Sequence, residues 1–228
     1  MNNEKKLAGE KAVELIENGM TVGLGTGSTV FFAIKKIGEM IKAGMEIKGV
    51  STSLGTTEIA RSLDIDLYPF NEINKIDITI DGIDEVDNSF NAIKGGGGAM
   101  LYEKIVASAS EKVVWIGDSS KLVGGIGRFP LPVEVNQFSY AYIFNMFKNR
   151  GMNPVIRKSN GELFITDSGN YIIDLHLGRI DNPEKIASWL DSVPGIIEHG
   201  LFINMADIVI IGCDNSTQTI ANNRIHLK

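Results

Sequence analysis

Residues 20–44 read "MTVGLGTGSTVFFAIKKIGEMIKAG". The opening "MTVGLG" is a short β-prone run ending in glycines. Beyond Ser28, residues Val30, Ala33, Ile34, Ile37 and Ile41 recur at helical spacing on one face, and Gly44 suits a helix C-terminus. Strand, glycine-rich turn, helix is therefore the local grammar. Upstream, Ala8, Ala12, Leu15 and Ile16 keep the same helical period. Downstream the alternation continues: the strand "EIKGVS", a helix across "TTEIARSL", the short "DLYPF", the strand "IDITIDG", a helix across "AMLYEKIVASAS" and the strand "KVVWIGDS". β and α units alternating at this length predict a parallel sheet with helices on both faces.

After residue 127 the pattern changes. "PLPVEV" reads as a strand, "FSYAYIFNMFKNRG" as a helix, and residues 153–177 as strands interrupted by turn signals at Asn160-Gly161 and Ser168-Gly169. A helix from Pro183 to about Leu190 and a final strand "GIIEHGLFI" complete a β-α-β-β-α-β order, that of a ferredoxin-like unit. The expected organisation is an α/β domain over 1–127 and 206–228, a Rossmann-like parallel sheet flanked by helices, with a smaller inserted ferredoxin-like α+β domain over 128–205. "ADIVIIG" would return to the parallel sheet; the tail after it carries no usable signal.

Composition narrows the function. At 228 residues, 43% hydrophobic and 22% charged, the chain is ordinary globular protein, and its net charge of −6 with no long basic run argues against a nucleic-acid partner. The single Cys213 permits no internal disulfide, and His176, His199 and His226 are too scattered for a local metal motif, so structural or surface roles are expected of all four. No apolar run approaches the roughly 20 residues that span a bilayer, and "MNNEKKLAGEK" lacks the apolar stretch of a secretory signal. A cytoplasmic setting is expected, with neither membrane nor nucleic acid as partner.

Two stretches carry chemistry. "GLGTGST" (23–29) sits where a strand turns into a helix, the context in which backbone N–H groups receive an anion. It is not a dinucleotide fingerprint, because counting G-x-G-x-x-G from Gly23 or Gly25 ends on Ser28 or Val30, and the next strand runs into hydroxyls rather than a ribose-binding acid. A loop bearing Thr26, Ser28 and Thr29 suits a terminal phosphate monoester; a plain βα turn with Ser28 as N-cap is the structural alternative. Lys5 and Lys6 are weaker candidates for the same anion.

The second stretch is "DGIDEVDNSFNAIKGGGGAMLYE" (81–103), with Asp81, Asp84, Glu85 and Asp87 within seven residues, then Lys94, four glycines and Glu103. Calcium-loop spacing fails in every register: from Asp81 the third position is Ile83, from Asp84 it is Val86, and from Glu85 the twelfth is Gly96. A magnesium site has nothing to favour it. With Asp81 and Asp84 at the C-terminal end of "IDITI", where open α/β sheets bind ligands, the glycines would bring backbone N–H groups to a substrate while Lys94 supplies charge. One carboxylate base and one cation suit proton transfer beside a carbonyl without a cofactor. A solvated acidic turn before a flexible loop is the alternative. "GDSSK" puts Lys121 at the end of another parallel strand.

These pieces together, "GLGTGST", "STSLGT", "DGIDEVD", "KGGGGAMLYEK", "GDSSK" and "FPLPVEV", in this order and spacing, resemble the type A ribose-5-phosphate isomerases. The resemblance implies interconversion of ribose 5-phosphate and ribulose 5-phosphate in the non-oxidative pentose phosphate pathway. It also implies no metal or organic cofactor, and a homodimer or homotetramer. Carried over by position, Thr26, Gly27, Ser28 and Thr29 form one substrate-binding segment; Asp81, Gly82, Ile83 and Asp84 a second; Lys94, Gly95, Gly96 and Gly97 a third; and Lys121 also touches substrate. Glu103 matches the proton acceptor of a cis-enediolate mechanism, with Asp81, Asp84 and Lys94 assisting. Two rivals remain: a coenzyme A transferase with Glu103 as nucleophile, and a non-catalytic sugar-phosphate sensor, although this chain lacks a basic DNA-binding segment.

Overall fold

The computed structural model describes residues 2–222. The chain opens with α1 (Asn2–Val13), β1 (Thr21–Leu24), α2 (Val30–Lys42), β2 (Lys48–Ser51), α3 (Leu54–Ser62) and β3 (Ile76–Gly82). A short hairpin, β4 (Glu85–Val86) and β5 (Asn91–Ile93), precedes α4 (Met100–Ser108) and β6 (Ser110–Asp118). Then come β7 (Leu131–Val135), α5 (Tyr140–Asn149), β8 (Pro154–Ile156), β9 (Lys158–Ser159), β10 (Glu162–Leu163), β11 (Tyr171–Leu175) and α6 (Pro183–Asp191). The chain closes with β12 (Ile196–His199), β13 (Leu201–Ile203), β14 (Ile208–Cys213) and β15 (Ser216–Ala221).

Two compact units divide the described residues: 2–83, 102–122 and 205–222 form one, and 84–101 with 123–204 the other. In the first, a six-stranded sheet runs β15-β14-β6-β3-β1-β2, parallel throughout except for the edge strand β15. Each apolar stripe seen in the sequence is used: Val30, Ala33, Ile34 and Ile37 of α2 pack with Ala8 and Ala12 of α1 over Val22, Leu24, Ile78 and Ile80. Gly44, at a φ of +100°, ends α2 as expected. Among the described residues no helix is long and apolar enough to cross a membrane.

The second unit holds an antiparallel sheet in the order β12-β7-β11-β8. Counted within the β-α-β-β-α-β run this is 4-1-3-2, the ferredoxin-like order. Ile143 and Phe147 of α5 and Leu190 of α6 pack on Val133, Ile173 and Leu175. Asn160 and Gly161, both at positive φ, make the tight β9–β10 turn.

Three features depart from the sequence expectation. Residues 84–101, expected in the α/β domain, group with the second unit, because β5 pairs with β4 on one side and β13 on the other. "GIIEHGLFI" is two strands rather than one. At Gly200 the chain leaves β7 for β5, and a Cβ there would lie 2.3 Å from the Lys94 carbonyl oxygen. The tail contributes β15, turned back on β14 through Asp214 at a φ of 46°. His226 and the last six residues lie outside the described residues.

Candidate active site

In the first unit, the C-terminal ends of the parallel strands carry most of the residues singled out above. Asp81, 1% exposed at the end of β3, accepts N–H bonds from Thr26 (3.0 Å) and Gly82 (2.8 Å) through Oδ1. This ties the end of β3 to the "GTGS" turn. Gly25 must be glycine for that contact, since a Cβ would lie 2.0 Å from the same carboxylate oxygen. We expect Gly25→Ala to melt well below the parent and to lose most activity, read by thermal unfolding beside turnover; a parent-like melt would show that the turn relaxes freely.

The turn itself leaves Gly27 and Ser28 exposed, with Gly27 at a φ of +120°. α2 begins at Val30 with Thr29, not Ser28, at the N-cap position and no side-chain cap, so the capping alternative for Ser28 is not what forms. Ser28 Oγ instead accepts a hydrogen bond from Lys5 Nζ at 3.0 Å. Lys6 faces Glu10 at 3.9 Å. Of the two N-terminal lysines, α1 therefore brings Lys5 to the Gly27–Ser28 turn.

Thr26 points elsewhere. Its hydroxyl lies 2.9 Å from both Thr52 Oγ1 and Ser53 Oγ and 3.3 Å from Thr56 Oγ1. Thr56 in turn donates to the Gly25 carbonyl (2.8 Å), and Ser53 caps α3 by accepting from Thr56 N. Three hydroxyls of "STSLGT" thus hold the Gly25–Thr26 turn from behind, a role that sequence reading did not assign. The signal available was hydroxyls where a dinucleotide fold would place an acid.

Glu103 occupies the first turn of α4 and is 3% exposed. α4 runs directly into β6, so its N-terminal turn lies toward the C-terminal edge of the sheet. Val106 packs on β1, where a Cβ on Gly23 would come 2.7 Å from Val106 Cγ1. Glu103 lies three residues earlier on the same helix face, one turn nearer the start of α4. Lys121 closes a short 3₁₀ turn after β6, with Asp118 accepting from Ser120 N at 3.1 Å.

Beside that turn, Glu4 of α1 is buried and accepts from Ser119 N (3.3 Å), Ser119 Oγ (3.0 Å) and Asp214 N (3.1 Å). The Asp214 N–H, together with Ser119, holds its carboxyl below the usual value of 4.5 against the opposing effect of burial. A depressed folded pKa adds stability that is present above the unfolded value and lost as pH falls through the folded one. Glu4→Gln should therefore lower Tm at neutral pH, with the gap closing in acid below the ordinary carboxylate range. A gap independent of pH would exclude this linkage.

In the second unit, the other acids of 81–87 each fasten a separate piece of backbone. Asp84 Oδ2 accepts from Gly96 N at 2.8 Å. Glu85, 4% exposed, accepts from Gly127 N (2.7 Å) and Phe129 N (2.9 Å). Asp87 closes its own turn through Ser89 N and Asn91 N. Lys94 is 2% exposed, with Nζ 4.9 Å from the Phe202 ring centroid and its backbone N–H on the Gly200 carbonyl. After it, Gly95 at a φ of +96° starts a turn closed by Gly98 N on Gly95 O, and Gly96 and Gly97 stand exposed.

Asp191, Glu198 and His199 also lie close together. His199 Nδ1 accepts from Leu201 N at 3.2 Å, which puts the neutral ring's proton on Nε2, facing Asp191 Oδ1 at 3.1 Å. A metal at Nε2 would have to displace that proton, so the trio is a hydrogen-bonded structural cluster.

Residues 48–216 match the family model for ribose 5-phosphate isomerase A, also called phosphoriboisomerase A. The chain belongs to the ribose 5-phosphate isomerase A family. Among members of the family, ribose-5-phosphate isomerase A of Listeria innocua is 51% identical over 213 residues, spanning 93% of this chain and 95% of that one. The solved ribose 5-phosphate isomerase of Plasmodium falciparum superposes with a TM-score of 0.94 at 39% identity, over 98% of this chain and 100% of that one. A D-ribose-5-phosphate isomerase solved with phospho-erythronic acid gives 0.93 at 36% identity, over 96% and 97%. Family membership sets aside the transferase and sensor readings.

Proposed function

We propose that this chain interconverts ribose 5-phosphate and ribulose 5-phosphate with Glu103 as the general base. The observation that carries the proposal is a buried carboxylate in the first turn of α4, one helical turn before the Val106 that packs on β1, the strand that runs on into the exposed Gly27–Ser28 turn. The phosphate monoester sits on the Thr26–Thr29 turn, received by N–H groups at the start of α2, Ser28 Oγ and Lys5. Lys121 adds a second contact to substrate.

In the open-chain aldehyde the C2 proton is acidified by the neighbouring carbonyl. Glu103 removes it, the electron pair moves into a C1–C2 double bond, and the carbonyl oxygen takes up negative charge. Lys94 and backbone N–H of the glycine segment, apart from the Gly96 N–H that Asp84 holds, stabilise that oxygen. Return of the proton to C1, with a proton moving from the C2 hydroxyl to O1, gives the ketose. Asp81, Gly82, Ile83 and Asp84 line the sugar hydroxyls, and Asp81 assists ring opening. No metal or organic cofactor enters this sequence of proton transfers. Assembly as a homodimer and a cytoplasmic setting follow from the family resemblance; sedimentation separates dimer from tetramer.

The direct test is formation of ribulose 5-phosphate from ribose 5-phosphate by the purified chain in excess EDTA. Sustained turnover supports the reading, and no turnover with or without EDTA sinks it. For the anion loop, we expect Ser28→Ala to weaken inhibition by inorganic phosphate by roughly tenfold while kcat changes little, the pattern of lost uniform binding. Unchanged phosphate inhibition would remove Ser28 from the loop's function.

A further inference from the structure

Arg157, between β8 and β9, is a side chain the sequence reading gave no role. Its side chain is 14% exposed, and its guanidinium is gripped in bidentate fashion by Asp174 of β11, through Nε (2.9 Å) and Nη2 (2.5 Å). Nη1 is turned to the glycine segment, donating to the Gly95 carbonyl at 2.9 Å and the Gly96 carbonyl at 3.1 Å. Phe164 packs over the guanidinium at 5.9 Å and against the far end of the same turn, where a Cβ on Gly98 would lie 2.6 Å from its ring.

The consequence follows from peptide geometry. In a planar trans peptide the C=O and N–H point in opposite directions. Drawing the Gly95 carbonyl toward Arg157 sends the Gly96 N–H the other way, where Asp84 Oδ2 receives it at 2.8 Å. Drawing the Gly96 carbonyl toward Arg157 likewise sends the Gly97 N–H away from the guanidinium, at a residue exposed to solvent. Four consecutive glycines have wide backbone freedom, and one fixed cation selects a single setting of two of their peptide planes.

We propose that Arg157, held by Asp174, is a positioning residue: it locks the Gly95–Gly97 peptides so that the Gly97 N–H is presented to the enediolate oxygen. This rests on the isomerase reading above. Arg157 touches no substrate atom and acts through the loop. A lysine cannot replace it, since one ammonium cannot grip Asp174 twice and also span two carbonyls.

The test compares Arg157→Met, Arg157→Lys and Asp174→Asn with the parent and Glu103→Gln, each assayed below its melting temperature. Arg157→Met should lower kcat by roughly 10²-fold, the scale of one lost oxyanion donor, with Arg157→Lys and Asp174→Asn between it and the parent. Inhibition by phospho-erythronic acid, whose carboxylate mimics the enediolate, should weaken in step with kcat/KM across the series, while inhibition by inorganic phosphate stays within about twofold. A residue needed only for folding would change Tm without that parallel. Folded variants with kcat within about threefold of the parent would overturn the proposal, as would equal weakening of both inhibitors. An inactive parent would instead fail the isomerase reading itself. An active parent, an inactive Glu103→Gln and normal Arg157 variants would fail this inference alone.

Discussion

Glu103→Gln is expected to turn over ribose 5-phosphate roughly 10² to 10⁴ times more slowly than the parent, with KM within a small factor. The substitution replaces one oxygen by an amide nitrogen on a side chain that is 3% exposed, so size and packing are conserved while basicity is removed. The loss therefore falls on proton abstraction and not on binding. Steady-state kinetics beside a thermal melt separates the two, and near-parental turnover in a folded variant would take the base role from Glu103.

The second large effect is expected at Lys94. Its side chain is 2% exposed and lies over Phe202, where the low local dielectric strengthens its action on any charge that develops nearby. Lys94→Ala should raise the barrier by about 3 kcal/mol, by analogy with loss of an oxyanion donor, and Lys94→Met should do nearly the same while preserving volume. The fall should appear in kcat and kcat/KM together. A change confined to KM would mean that Lys94 binds ground-state substrate only.

The parallel sheet was legible because its signals are local. β1, its glycine turn and α2 announce themselves by a switch of period within 25 residues, and each later β-α pair repeats the switch. The β4–β5 hairpin was not legible: its strands are two and three residues long, and its acids serve distant backbone, Glu85 reaching Gly127 and Phe129. β15 was hidden because "STQTIA" is an edge strand with no continuous apolar face. At Gly200 a strand changes sheets, and only the close approach of the distant Lys94 carbonyl explains why.

The candidate site divides in the same way. Glu103 and Lys94 could be named from residue type and spacing. The engagement of Thr26 by Thr52, Ser53 and Thr56, the approach of Lys5 to Ser28 and the grip of Arg157 on two glycine carbonyls all join residues more than 20 positions apart. No periodicity in one sequence encodes such pairs. They arise only once the strands set which loops meet.

The most direct test of a carboxylate-base enediolate mechanism is turnover of ribose 5-phosphate in D₂O with excess EDTA, read by NMR at C1 of the product. A base that holds the proton as a carboxylic acid exchanges it with solvent over many turnovers, so deuterium should accumulate at C1 of ribulose 5-phosphate in the parent and not with Glu103→Gln. Hydrogen carried wholly from C2 to C1 without label, or activity abolished by EDTA, would contradict the account.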